Sequence, residues 1–116
     1  MRFVNLTPHE VVLRGPRGDE RIPPDGRVVR VPTHAIPVPS LSNELGYPVH
    51  LAEHCGIKDM PDPEPDTVFI VSLVVLQALK EQHMDRSDCV APDTAPHSAI
   101  RDAEGRIVAV KGFVVV

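Results

Sequence analysis

The sequence is poor in aromatic residues, with no Trp, one Tyr and three Phe among 116 residues. Its hydrophobic fraction of 42% is still enough for a core, which must be built mainly from aliphatic side chains. A chain of this length is close to the commonest domain size. We therefore predict one domain over residues 1–116.

Positive charge is not concentrated in any segment of the chain. The 12 Lys and Arg residues are scattered among 16 Asp and Glu, and the net charge is -4. Proteins that bind nucleic acids carry a basic patch, and those that bind single strands add aromatic side chains for base stacking. Because both features are missing, we expect no nucleic-acid partner.

Long apolar runs and a cysteine framework are also missing. The longest uncharged run, residues 67–79, is too short to cross a bilayer. No apolar signal segment follows Met1, and two cysteines in such a chain are expected to be free thiols. These absences predict a cytoplasmic protein that has no membrane partner, and nothing in the sequence indicates a cofactor.

Proline and glycine are abundant, with 13 and 7 residues, which implies many turns and few helices. Strands are predicted at 2–4, 10–14, 27–31, 68–71, 98–102 and 106–110, the first three as a β-meander, and residues 88–91 form a short strand or an extended link. One helix is predicted from about Ser72 to Gln82, with Ser72 as its N-cap. The fold class is therefore a β-rich α+β domain, built on a twisted antiparallel sheet or a partly closed small barrel with one helix.

Residues 32–65 form a proline-rich excursion with little periodicity. A short strand is plausible around residues 47–51, and the rest is predicted to be an ordered loop. A loop of this length inside a domain is either functional or hides unrecognised elements.

The segment Asn5-Leu6-Thr7-Pro8-His9 interrupts what would otherwise be one strand from residue 2 to residue 14. Nothing about packing is expected to require that break, so the segment is the first candidate site. Pro8 restricts Thr7 to extended geometry, and His9 offers a general base or a metal ligand. In the alternative, Asn5 and Thr7 cap a turn and His9 bonds a backbone carbonyl.

Three other segments are candidates for contacts to a ligand. Ser72 lies where a strand meets a helix N-terminus, which favours an anion, although a plain N-cap is the simpler interpretation. Arg101 and Asp102 provide a cation for an anionic ligand or are ordinary hairpin residues. Residues 93–97 repeat the Thr, Pro and His composition and form either a second loop at the same pocket or a solvated connection.

A metal site is not favoured, although His50, His54 and Cys55 suggest one. On a helix the two histidines would share a face, but a third ligand has to come from a distant residue. The order also departs from the zinc-protease motif, because Glu53 precedes the second histidine instead of following the first. The distant ligands available are His34, Cys89 and His97.

The chain contains four motifs, at Asn5–His9, Pro24–Val31, Met60–Ser72 and Arg101–Ile107. Together they resemble a family of short proteins from bacteriophages, prophages and actinobacterial mobile elements. The chain departs from that family at Met60 and Phe69 and in a longer region from residue 32 to residue 55. The resemblance implies a mobile-element context and a set of candidate residues.

The leading hypothesis is a binding module for a small anionic ligand, such as a nucleotide-like molecule, held by the Thr7–His9 loop, Ser72 and Arg101. One alternative is a small hydrolase or transferase in which His9 is the base and Thr7 or Ser72 the nucleophile. Another is a structural subunit of a homo-oligomer, because the apolar segment 113–116 is expected to be covered by the core or by a second subunit.

Overall fold

The computed structural model describes all 116 residues and divides ten strands among three sheets. In chain order the elements are β1 (Arg2–Asn5), β2 (Val11–Gly15), β3 (Gly18–Ile22), β4 (Thr33–Pro37), α1 (Pro39–Leu45), β5 (His50–His54), β6 (Thr67–Ile70), α2 (Leu73–Glu81), β7 (Cys89–Pro92), β8 (Ala99–Arg101), β9 (Ile107–Val110) and β10 (Phe113–Val114).

The first sheet has the strand order β1-β6-β7-β10 and contains the main core. Strands β1, β6 and β7 are mutually parallel, and β10 runs antiparallel to β7. Parallel neighbours need a crossover, and α2 supplies it between β6 and β7. Phe69 and Val71 are completely buried against Leu76 and Leu79 of α2, so the core is mainly aliphatic.

The second sheet has the order β3-β2-β9-β8. Two antiparallel hairpins, β2–β3 and β8–β9, meet through a parallel contact between Leu13 and Val110. Val11 and Ile22 of this sheet pack with Ile70 of β6, so a smaller apolar cluster joins the two sheets.

The third sheet is the antiparallel pair β4–β5, with α1 between the two strands. Pro39 begins α1, and Gly46 follows its last residue with a positive φ of 75°, a position that favours glycine. The proline-rich excursion therefore contains two strands and a helix. Neither helix of the protein combines the length and the hydrophobicity of a membrane span.

The predicted β-rich α+β class is confirmed, whereas the finer architecture is wrong. The sheets are mixed instead of antiparallel, they do not close into a barrel, and there are two helices. The helix predicted at 72–82 is confirmed as Leu73–Glu81, with the Ser72 Oγ accepting a hydrogen bond from the N–H of Val75 at 3.3 Å.

The predicted β-meander is also wrong, because β1 and β2 belong to different sheets. The segment between them carries the chain from one sheet to the other, so packing does require the break in the first strand. Residues 27–31 are not a strand and contribute only a single bridge, from Arg30 to Lys58. The strand that follows β2 is β3. Its residues 19–21 are charged, so the pattern of hydrophobic residues in the sequence does not predict it.

Candidate functional site

The loops that follow the three parallel strands meet at one edge of the first sheet. Thr7, Pro8 and His9 follow β1, Ser72 follows β6, and Thr94 follows β7. In open sheets with crossover helices, ligands bind outside the carboxyl ends of the parallel strands. A groove lies at this edge, and Thr7, Pro8 and Ser72 line it along its middle.

The groove has two halves of different chemistry. The apolar half encloses about 530 Å³ and has 14 lining residues, of which His9, Glu10 and Thr94 are polar contributors beside Leu73 and Val108. The cationic half encloses about 540 Å³ and is lined by Arg30 and Lys58 together with Thr33, Val74 and other residues. No carboxylate lines the cationic half.

The buried side chain of Asn5 fixes the loop that enters the groove. Its Nδ2 donates to the carbonyl oxygens of His9 at 2.8 Å and Ile22 at 3.0 Å. Its Oδ1 accepts from the Thr7 N–H at 3.0 Å and lies 2.7 Å from the Thr7 hydroxyl. Asn5 is 1% exposed and does not line the groove, so the turn-forming interpretation describes Asn5 and Thr7.

His9 is held by its backbone and not by its side chain. Its carbonyl oxygen accepts from Asn5 and lies 3.0 Å from the Thr7 hydroxyl, whereas its imidazole forms no hydrogen bond and is exposed at the apolar half. A nucleophile and its base need a mutual hydrogen bond. Neither Thr7 nor Ser72 forms such a bond to His9 in this structure.

Ser72 caps α2 and places the start of that helix against both halves of the groove. The first backbone N–H groups of a helix have no acceptor inside it and carry a partial positive charge. Those of Leu73 and Val74 belong to residues that line the groove, Leu73 in the apolar half and Val74 in the cationic half. The helix start adds to the positive potential that Arg30 and Lys58 create.

Backbone pairing between two segments that are far apart in sequence places Arg30 opposite Lys58. No pattern in the sequence predicts this pairing. The N–H of Arg30 donates to the carbonyl of Lys58 at 3.2 Å, and the reverse bond is 2.8 Å. Residues that exchange both bonds lie directly opposite each other, with side chains on the same side. Neither side chain forms a salt bridge, and like charges in this position are destabilising.

The structure does not bring Arg101 and Asp102 to the groove. The Asp102 Oδ1 accepts from the N–H groups of Glu104 at 2.9 Å and Arg106 at 3.0 Å. The Arg101 guanidinium donates to the carbonyl of Gly105 at 2.6 Å. Both residues hold the turn of the β8–β9 hairpin, which is their ordinary interpretation.

The loop at 93–97 reaches the groove only through its first residues. Thr94 lines the apolar half, next to Pro92. The Asp93 carboxylate accepts from the N–H of Ala95 at 3.1 Å and lies 2.8 Å from the His97 Nε2. The loop is therefore both a neighbour of the groove and a solvated connection.

The proposed metal ligands do not converge. His50 and His54 lie on the strand β5, not on a helix. They are four positions apart in this strand, which places their Cα atoms about 13 Å apart. Metal–nitrogen distances of about 2 Å do not allow both to bind one ion. Cys55 follows the strand, and no group of three or more potential metal ligands exists in the structure.

Among the residues that line the groove, the sequence analysis singled out Thr7–His9, Ser72 and, within residues 93–97, Thr94, and it did not single out Arg30 and Lys58. No local sequence pattern identifies Arg30 and Lys58 as site residues, because they become neighbours only through a backbone bridge between segments that are far apart in sequence. Comparison of the chain with protein-family models, with curated proteins and with solved structures finds no match.

Proposed function

We propose that the protein binds a small molecule that carries an anionic group on an apolar or aromatic body. The anionic group, a phosphate or a carboxylate, is bound by Arg30, Lys58 and the start of α2. The body lies in the apolar half of the groove. A nucleotide-like molecule has this combination of groups.

The observation that carries the proposal is the opposed pair of cations. Arg30 and Lys58 face the same space with no carboxylate to neutralise them. Their repulsion lowers the stability of the free protein, and an anion between them removes it. Charged hydrogen bonds from a guanidinium and an ammonium group are the strongest contacts such an anion can form.

The size and the chemistry of the groove support the same proposal. Ligand pockets usually enclose about 300–1,000 Å³ and combine apolar walls with a few polar groups. Each half falls in this range, and the shared residues Thr7, Pro8 and Ser72 make the two halves neighbours. The exposed His9 imidazole is available to donate to, or accept from, a polar edge of the ligand body.

Isothermal titration calorimetry with 1-naphthyl phosphate, adenosine monophosphate and inorganic phosphate tests the proposal. The first two probes are expected to bind more tightly than inorganic phosphate, because only they fill the apolar half. Arg30→Gln and Lys58→Gln should each weaken binding by about ten-fold or more, since a charged hydrogen bond contributes about 1.5–3 kcal/mol. His9→Ala should weaken the aromatic probes alone.

Arg17→Gln is the matched control, because Arg17 is exposed, forms no salt bridge and lies outside the groove. Its affinities should equal those of the wild type. Absence of binding for all three probes would contradict the proposal. So would an equal loss of affinity in the Arg17 and Arg30 variants.

A further inference from the structure

Residues 33–54, the arm, lie entirely outside the core. The arm consists of β4, α1 and β5, and none of its residues is buried. Neither apolar cluster contains an arm residue. The arm is ordered internally, since the N–H of Val38 donates to the carbonyl of Val49 at 2.9 Å and the Ser42 Oγ accepts from the N–H of Val49 at 2.9 Å.

The arm leaves the molecule unusually extended. The radius of gyration is 17.3 Å, against about 13 Å for a compact chain of this length. The accessible surface is 7905 Å², which exceeds that of a typical folded chain of this mass by about 1,700 Å². A two-stranded hairpin alone in water is marginally stable, so an arm of this kind needs a covering surface.

Much of the uncovered apolar surface belongs to the arm. Ile36 and Leu51 lie directly opposite each other on one face of the hairpin and are 41% and 58% exposed. Leu41, Leu45 and Tyr47 add three more exposed side chains at the far end. Tyr47 is the only Tyr in the chain and is 75% exposed, which is typical of an interface anchor.

A second apolar surface lies on the body, away from the groove. Leu76 and Leu79 of α2 form its floor, and Met84, Val115 and Val116 form an exposed rim around about 440 Å³. The charged residues Lys80, Asp85 and Arg86 also line it. We call this the C-terminal pocket. The expected covering of Val115 and Val116 does not occur within one chain, since they are 67% and 47% exposed.

We propose that the arm of each chain docks in the C-terminal pocket of a second copy, so that two copies exchange arms. The arm contains no Lys or Arg, which excludes nucleic acid and an anionic membrane surface as its partner. A standard interface buries about 800 Å² from each partner. In an exchange each copy contributes both an arm and a pocket and so buries about twice that area, which the surplus of about 1,700 Å² is large enough to supply.

Size-exclusion chromatography with light scattering tests the exchange. Wild type should have twice the 12.7 kDa mass of one chain. The double variants Tyr47→Ser/Leu51→Ser in the arm and Met84→Ser/Val115→Ser in the pocket should each be monomeric at the same concentration. Ala52→Ser, on the opposite face of β5, is a matched control that should remain dimeric.

A deletion keeps the test decisive if a double variant misfolds. The N–H of Cys55 donates to the carbonyl of Pro32 at 2.7 Å, so the two ends of the arm are adjacent. Residues 35–52 can therefore be replaced by Asn-Gly, a two-residue turn that joins the opposed residues His34 and Glu53 and leaves Thr33 of the groove in place. This chain should unfold cooperatively, bind the groove probes as the wild type does, and be monomeric.

Two results would overturn the exchange. One is a wild-type protein that is monomeric at the highest concentration it reaches in solution. The other is a dimer that persists in the arm-deleted chain or in either double variant. Because the groove residues are untouched, both results are independent of ligand binding.

Discussion

At the scale of single residues, Asn5 is the polar side chain that holds the loop between β1 and β2 in place. Its amide satisfies the backbone of a loop that turns from the first sheet to the second. The sequence alone marked Asn5 and Thr7 as turn formers or as site residues, and the structure shows how the first role serves the groove. Because the buried Asn5 side chain bonds the backbone of the loop, the His9 imidazole forms no hydrogen bond within the protein and remains exposed.

Asn5→Ala should lower the free energy of unfolding by about 1–3 kcal/mol, because it leaves buried backbone groups unsatisfied. Urea unfolding measures the loss. Thr7→Val is the control, since it removes only the hydroxyl and keeps the Asn5 bonds to His9 and Ile22. An Asn5→Ala protein as stable as the Thr7→Val protein would show that the amide network contributes little.

The two cysteines differ in environment, which gives a second prediction at this scale. Burial raises the pKa of the Cys89 thiol to about 12, and the thiol is 2% exposed, whereas Cys55 is half-buried. Thiolates react and thiols do not. Ellman's reagent at pH 8 should therefore label one thiol rapidly in the native protein and two in denaturant.

Cys55→Ser should abolish the rapid reaction, and Cys89→Ser should leave it unchanged. Rapid labelling of the Cys55→Ser protein in its native state would contradict the buried position of Cys89.

At the scale of elements, the prediction of α2 succeeded because its signals are local. Ser72 is a good N-cap, and the residues that follow it favour a helix. The strand β3 was missed because its side chains are mostly charged and pair with charges across the hairpin. Arg14 bonds Asp19 at 2.9 Å, and Arg21 bonds Glu10 at 2.7 Å, which no alternation of apolar residues predicts.

The parallel pairing of β1 with β6 was missed for a different reason. Arg2 pairs with Thr67, so the contact joins segments that are far apart in sequence. Local patterns indicate that both segments are strands and contain nothing about their partners. The same limit applies to the cationic half of the groove, where one long-range bridge opposes Arg30 to Lys58.

Arg86 contacts three separate parts of the chain, and these contacts give a prediction at the scale of elements. Its guanidinium donates to both oxygens of Asp88, at 2.9 Å and 3.0 Å, and to the carbonyl of Pro61 at 2.9 Å. It also lies 5.9 Å from the centre of the Phe69 ring. The end of the proline-rich excursion is thereby tied to the start of β7.

The hydrogen bonds from Arg86 lower the pKa of Asp88 below its ordinary value. A lowered pKa in the folded state means that the pair stabilises the protein above the unfolded pKa of about 3.9 and that this contribution is lost as the pH falls through the folded pKa. Asp88→Asn should therefore lower the melting temperature at pH 7 and flatten its decline towards pH 3.

Melting temperatures from pH 7 to pH 3 measure this effect. Asp85→Asn is the control, because Asp85 is exposed and forms no salt bridge. A pH profile of Asp88→Asn that parallels the wild type would show that the Arg86 pair does not contribute to acid stability.

At the scale of the whole molecule, the sequence predicted the fold class but not the shape. Composition and turn signals were enough for a β-rich α+β protein. The extended arm was predicted as a loop apart from a short strand around residues 47–51, which overlaps β5 in part. The rest was missed because α1 is short and β4 and β5 are exposed on both faces, so neither strand has the alternation that marks a half-buried strand.

The junction between Pro32 and Cys55 has a consequence for how the gene can change. Because the two ends of the arm meet there, codons can be added to or removed from the segment between them without a change in the fold of the body. Homologous chains should therefore vary most in length between these two positions. In protein engineering, the same junction is the natural place to insert a reporter or a foreign peptide.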